Sequence, residues 1–172
     1  LGMVTKIVVY FIIIITGFNL PNVFAESNKE KGIVTLMYHR FEENKYPSTN
    51  IRIYDFKKQI ELIKNSQSEF IDFNQLKNIL INKQAYTGKK ILITIDDSFK
   101  SFYENAWPIL KKENVPFILF VNTREINDDH TNYMSWDQIR EVHQSEIGTI
   151  GAHSYCHEYL VKLNQKDIAE DI

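Results

Sequence analysis

Apolar and polar positions along the chain change period several times, and each change marks a new element. Ile33 to Tyr38 is a short apolar run suited to a buried strand. A polar stretch with Pro47, from Asn44 to Asn50, reads as a loop. Phe56, Ile60 and Ile63 fall at helical spacing behind Asp55, which is the expected cap. Phe70 to Phe73 reads as a short extended piece and Leu76 to Ile81 as a second short helix. Ile91 to Ile95 is rich in β-branched residues, as strands are. Phe99 to Glu113 is helical, with Pro108 as a kink or a fresh helix start. Pro116 opens a strand from Phe117 to Val121. Ser135, with Gln138 three residues on, caps a helix that begins at Trp136. Thr149 to Ala152 is another short strand, and Gln165 to Ile172 has helical composition.

Strands that alternate with helices this often predict an α/β fold, a parallel sheet or barrel with helical crossovers. The chain has 172 residues, enough for one domain with a sizeable core. Its net charge of -2 argues against nucleic acid as a partner, which requires clustered positive charge.

The N-terminus reads differently. Lys6, the apolar run Ile7 to Ile15 and the small residue Ala25 form the pattern of a secretory signal. Residues 1–25 are expected to be a signal peptide, 26–32 a linker and 33–172 the functional domain. An uncleaved membrane anchor is the alternative, although the run is short for a span of roughly 20 residues. Export to the periplasm, the cell envelope or the medium follows from either reading. Cys156 is the only cysteine, so no internal disulfide staples the exported chain. Leu1-Gly2 before Met3, and an end at Ile172 without a helix stop signal, read as a fragment of a longer protein that starts at Met3.

Two constellations carry chemistry. Asp96-Asp97 directly follows the strand Ile91 to Ile95, at the end where parallel α/β folds place their sites. Taken alone, Asp97 as a cap for the next helix explains the pair at least as well. His153 and His157 follow the last strand, and on a helical turn residues four apart lie close enough to share a cation. Together, Asp97, His153 and His157 offer two nitrogens and one oxygen. Three protein ligands with an open position describe a catalytic metal site. Asp96 stays free to take a proton from water. Cys156 is a weaker ligand candidate with core packing as its expected role. His130 and His143 read as surface residues, and Trp136 as packing.

Ile93-Thr94-Ile95-Asp96-Asp97 resembles the first motif of the polysaccharide deacetylases (carbohydrate esterase family 4), and His153-Ser154-Tyr155-Cys156-His157-Glu158-Tyr159-Leu160 resembles their second. The resemblance implies a distorted (β/α) barrel, Asp96 as catalytic base, and Asp97, His153 and His157 as ligands of a divalent metal ion, zinc by default. Leu36-Met37-Tyr38-His39-Arg40-Phe41 is similar to the opening strand of the branch acting on poly-N-acetylglucosamine, which implies His39 as general acid. The implied substrate is an N-acetylated polysaccharide, and the implied activity is removal of its N-acetyl groups. Ser98 stands where the family usually has glycine, which leaves room for an inactive glycan-binding relative. A purely structural metal site is the third alternative.

Overall fold

The computed structural model describes residues 31–172, so the expected signal segment and most of the linker lie outside the described residues. Its frame is a parallel sheet. Strand β1 (Gly32–Tyr38) pairs along its full length with β5 (Lys89–Ile95), which pairs with β6 (Phe117–Val121), which pairs with β7 (Gly148–Ala152). The short β4 (Glu69–Phe70) also pairs with β5, while β2 (Arg40–Phe41) and β3 (Asn50–Ile51) form a separate two-stranded piece. Helices α1 (Ile53–Lys64), α2 (Phe73–Leu80), α3 (Trp107–Glu113), α4 (Arg124–Asn127), α5 (Trp136–Gln144) and α6 (Gln165–Asp171) occupy the connections. The expected α/β architecture is thus observed. No helix among the described residues is long and apolar enough to cross a membrane.

The central strands are apolar on both faces, because both are covered. Ile93, Ile95, Phe117, Leu119 and Val121 enter the larger core, with Phe56 and Ile60 of α1 and Trp107 and Leu110 of α3. The alternate positions Leu92 and Ile118 join Ile71 in a smaller core on the opposite face. Edge-on ring contacts tie the larger core together: Phe41–Phe56 at 5.1 Å, Phe102–Phe117 at 5.4 Å and Trp107–Phe117 at 5.8 Å.

Local departures from expectation have local causes. Asp55 does not cap α1; Arg52 holds that position, and Asp55 sits in the first turn, paired to Arg52 at 2.7 Å. A carboxylate there still favours the positive helix end. Asp72 and Gln75 form a full capping box that starts α2 three residues before Leu76, so Phe73 is helical rather than extended. The box at Ser135 and Gln138 is present as expected. Between Phe99 and Glu113 the helix widens into a π turn, Phe102–Ala106, and restarts as α3 with Pro108 in its first turn. The helix continues through this junction, since Trp107 N–H still donates to Phe102 O; Pro108, without an N–H, makes no such bond, and the wider π turn precedes it. Trp136 is not core packing: it is 38% exposed, and its indole N–H donates to Asn127 Oδ1 at 3.1 Å. His130 and His143 are exposed, as expected.

Candidate metal centre

Parallel strands in register bring their C-terminal ends to one rim. Tyr38 pairs with Ile95, and Val121 pairs with Ala152. The residues that follow are therefore neighbours across the sheet: His39, Asp96-Asp97, Asn122 and His153. Backbone bonds extend the ladder past the strands, from Asp96 N–H to Tyr38 O at 2.8 Å and from His153 N–H to Val121 O at 2.9 Å.

The chain then turns sharply after β5. Asp97 and Ser98 are both left-handed, with φ of 70° and 55°. For L-residues each costs roughly 1–2 kcal/mol, least for the short polar Asp. The turn is clamped against the segment before α5: Met134 N–H donates to Ser98 O and Lys100 N–H to Asn132 O, with Phe99 bridging to Tyr133. Ser98 is fully buried and its hydroxyl has no hydrogen-bond partner. It therefore neither caps the next helix nor displaces the turn; it adopts the conformation a glycine would take more easily.

This turn separates the two carboxylates. Asp97 points inward, with Oδ1 buried and without a hydrogen-bond donor. That oxygen lies 3.3 Å from His153 Nε2 and 3.4 Å from His157 Nε2. One ligand atom from each of the three residues lies within 4.8 Å of the others. Ligands about 2.1 Å from a tetrahedral ion stand about 3.4 Å apart. A buried acceptor with no donor, facing two imidazole nitrogens at that separation, fits a divalent cation.

The two histidines do not share a helical turn, as the spacing alone led us to expect. Ser154 and His157 are left-handed (φ 61° and 56°), and the segment is an irregular loop. His157 N–H donates to Ser154 Oγ at 3.0 Å, a local turn that folds the second imidazole back to 4.6 Å from the first, centroid to centroid. The C-terminal end of α6 holds this loop: Tyr155 N–H donates to Asp171 O at 2.7 Å, and Cys156 N–H to the Asp171 carboxylate. Cys156 is half-buried and belongs to neither apolar core, against the expectation of core packing.

Asp96 stays outside the trio. Its Oδ2 is 3.9 Å from His39 Nε2, and both side chains keep partial access to solvent. Burial pushes its carboxyl above the ordinary carboxylate range, against the pull of His39 and His153, while the Asp97 charge adds to the rise.

Two features of this rim went unnoticed in the sequence. Asn122, 2% exposed, ends β6 between the two constellations, with Nδ2 on Glu125 Oε2 at 2.9 Å and Oδ1 unpartnered. Its position just past a strand was a usable signal, but a lone Asn offers no proton or ligand chemistry that singles it out. Arg40, stacked on the rings of Tyr46 and Phe99, gave no signal of its own, because Phe99 is 59 positions away in the chain.

A parallel α/β sheet with an Asp, two His and a second Asp at its C-terminal rim defines a class. The polysaccharide deacetylase family model matches residues 83–172, over half of the chain, and the protein belongs to that family.

Among characterised relatives, the chain is similar to the poly-beta-1,6-N-acetyl-D-glucosamine N-deacetylase of Staphylococcus aureus (strain MRSA252), with 26% identity over 156 residues, 81% of this chain and 54% of that protein. The enzyme of the same name from Staphylococcus epidermidis is 26% identical over 114 residues, covering 64% of this chain and 39% of that one. Among solved structures, IcaB from Ammonifex degensii superposes with a TM-score of 0.68 at 28% identity, covering 81% of this chain and 58% of that one. The Streptococcus pyogenes deacetylase PplD in complex with acetate gives a TM-score of 0.72 at 22% identity, covering 81% and 63%, and shares the fold. The chain spans about half the length of the relatives it matches.

Proposed function

We propose that the protein is a metal-dependent hydrolase that removes N-acetyl groups from an exported polysaccharide built of N-acetylhexosamine, with poly-β-1,6-N-acetylglucosamine as the substrate to test first. The observation that carries the reading is the division of labour between adjacent carboxylates: Asp97 is buried against two imidazoles, and Asp96 is left free beside His39. The relatives' names supply the polymer, and the rim supplies the chemistry.

Asp97, His153 and His157 would hold the ion, zinc by the usual preference of one oxygen and two nitrogens. When bound, such an ion supplies positive charge that polarises the acetamide carbonyl and eases loss of a proton from water. Asp96 is the base: its carboxylate, free beside His39, takes the proton of the attacking water. His39 is the acid: its Nε2–H gives a proton to the amide nitrogen as the carbon–nitrogen bond breaks. The products are acetate and a free amine on the polymer. The intact turn around the buried Ser98 supports the hydrolase reading over an inactive glycan-binding relative.

The test is acetate release from poly-β-1,6-N-acetylglucosamine oligomers by the zinc-loaded protein. Wild type is expected to release acetate, and Asp96→Asn to keep its metal while losing turnover. Zinc-loaded wild type without acetate release from any N-acetylated glycan would overturn the proposal.

A further inference from the structure

We propose that Arg40 is a positioning residue for His39, holding the imidazole at its distance from Asp96. The inference rests on the reading of His39 as the acid and adds what keeps it in place.

Among the described residues the His39 imidazole makes no hydrogen bond, and 3.9 Å to Asp96 is too long for one. Its place is therefore set by the backbone on either side. On the β1 side, Tyr38 is fixed by the bond its carbonyl accepts from Asp96 N–H and by its hydroxyl, which donates to Gln59 Oε1 at 2.6 Å. On the other side stands Arg40. Its backbone N–H donates to Thr49 O at 3.0 Å, and its guanidinium donates to Glu43 Oε2 at 2.7 Å.

The guanidinium carbon also lies 3.4 Å from the Phe99 ring centroid and 4.0 Å from that of Tyr46. Two rings can come that close to one carbon only from opposite faces of the plate. Phe99 is two residues past Asp97, in the same clamped turn, and its own ring packs on Tyr133 at 5.0 Å. Arg40 is thus a side chain through which the loop carrying His39 rests on the turn carrying Asp96 and Asp97, next to Phe41, whose N–H donates to Ser101 Oγ at 3.2 Å. The Arg40 side chain is only 15% exposed, so the stack is well shielded from water. A lysine would keep the charge and lose the flat plate that the two rings contact.

Three measurements on the zinc-loaded protein test this. Arg40→Lys is expected to lower kcat roughly tenfold to a hundredfold, the penalty for a reacting group displaced by about 1 Å, with KM and zinc affinity unchanged within about twofold. In a His39→Ala background the same substitution is expected to have no further effect on kcat. The His39 ring resonance, read by NMR without turnover, is expected to move in Arg40→Lys. An equal loss of kcat with and without His39, or an unmoved His39 resonance, overturns the inference. Should Arg40→Lys not fold, Tyr46→Leu, at a partly exposed ring, removes one face of the stack and must give the same three results. If wild type releases no acetate, the functional reading fails, and the resonance still decides whether Arg40 positions His39.

Discussion

Asp97→Asn isolates the carboxylate that sets the candidate metal centre apart. The residue is 8% exposed, and its Oδ1 has no donor while facing two imidazole nitrogens at 3.3 and 3.4 Å. Asparagine keeps the shape and tolerates the left-handed φ of 70°. In wild type, zinc at 100 times its dissociation constant stabilises the fold by about 2.7 kcal/mol, a rise in Tm of about 5–10 °C for a chain of this size. In Asp97→Asn the rise should shrink to about 1–2 °C, since a neutral amide is a poor partner for a dication. The metal-free variant should melt no lower than metal-free wild type. Leaving a buried polar group unsatisfied costs about 1–3 kcal/mol, and a charge costs more, so removing the charge at least offsets the lost geometry. The assay is thermal unfolding with zinc and with a chelator, with circular dichroism to follow the fold. Neither apolar core contains Asp97, His153 or His157, so chelated wild type should keep its helix signal. Equal zinc shifts in wild type and variant, or none in wild type, would refute the metal centre. Unfolding on chelation would make it a structural site instead.

Three further outcomes probe the frame that holds the site. Phe102→Ala, which empties a fully buried position packed against Phe117 at 5.4 Å, should cost about 3–5 kcal/mol, read as a lower denaturant midpoint. Gly148→Ala would place a Cβ 2.5 Å from Val142 Cγ1 and 2.8 Å from Val142 O; because β7 cannot shift away without losing its pairing to β6, a loss of about 1–3 kcal/mol is expected by the same assay. Burial pushes the Tyr38 phenol up to about 12, so the fold favours its neutral form; that stability is intact below the unfolded value near 10 and is lost as pH rises toward 12. Tyr38→Phe should flatten that part of the alkaline decline in stability, and identical slopes for the two proteins would contradict the assignment.

The elements were legible because each rests on local chemistry. Phe117–Val121 matches its expected span, and Ser135 with Gln138 starts α5, since a β-branched or aromatic run between turn residues and a capping box are complete within a few neighbours. Asp72 was missed for the opposite reason: its box with Gln75 begins inside a stretch whose apolar residues looked extended. Asp96, Asp97, His153 and His157 stood out because each follows a strand, and parallel strands in register send their ends to one rim.

Sequence by itself thus determined the order of the main strands and helices, the cap at Ser135, and which side chains able to bind a metal or move a proton sit at strand ends. The tertiary structure decided how those side chains are shared out. A left-handed turn aims Asp97 inward and leaves Asp96 with His39, and an irregular loop, not a helix, brings His157 back to His153. It also decided that Arg40 rests on Phe99, 59 positions away in the chain numbering. The division follows from range: caps and strand propensity depend on neighbours in sequence, whereas directions at a rim depend on clamps from distant segments such as Asn132, Met134 and Asp171.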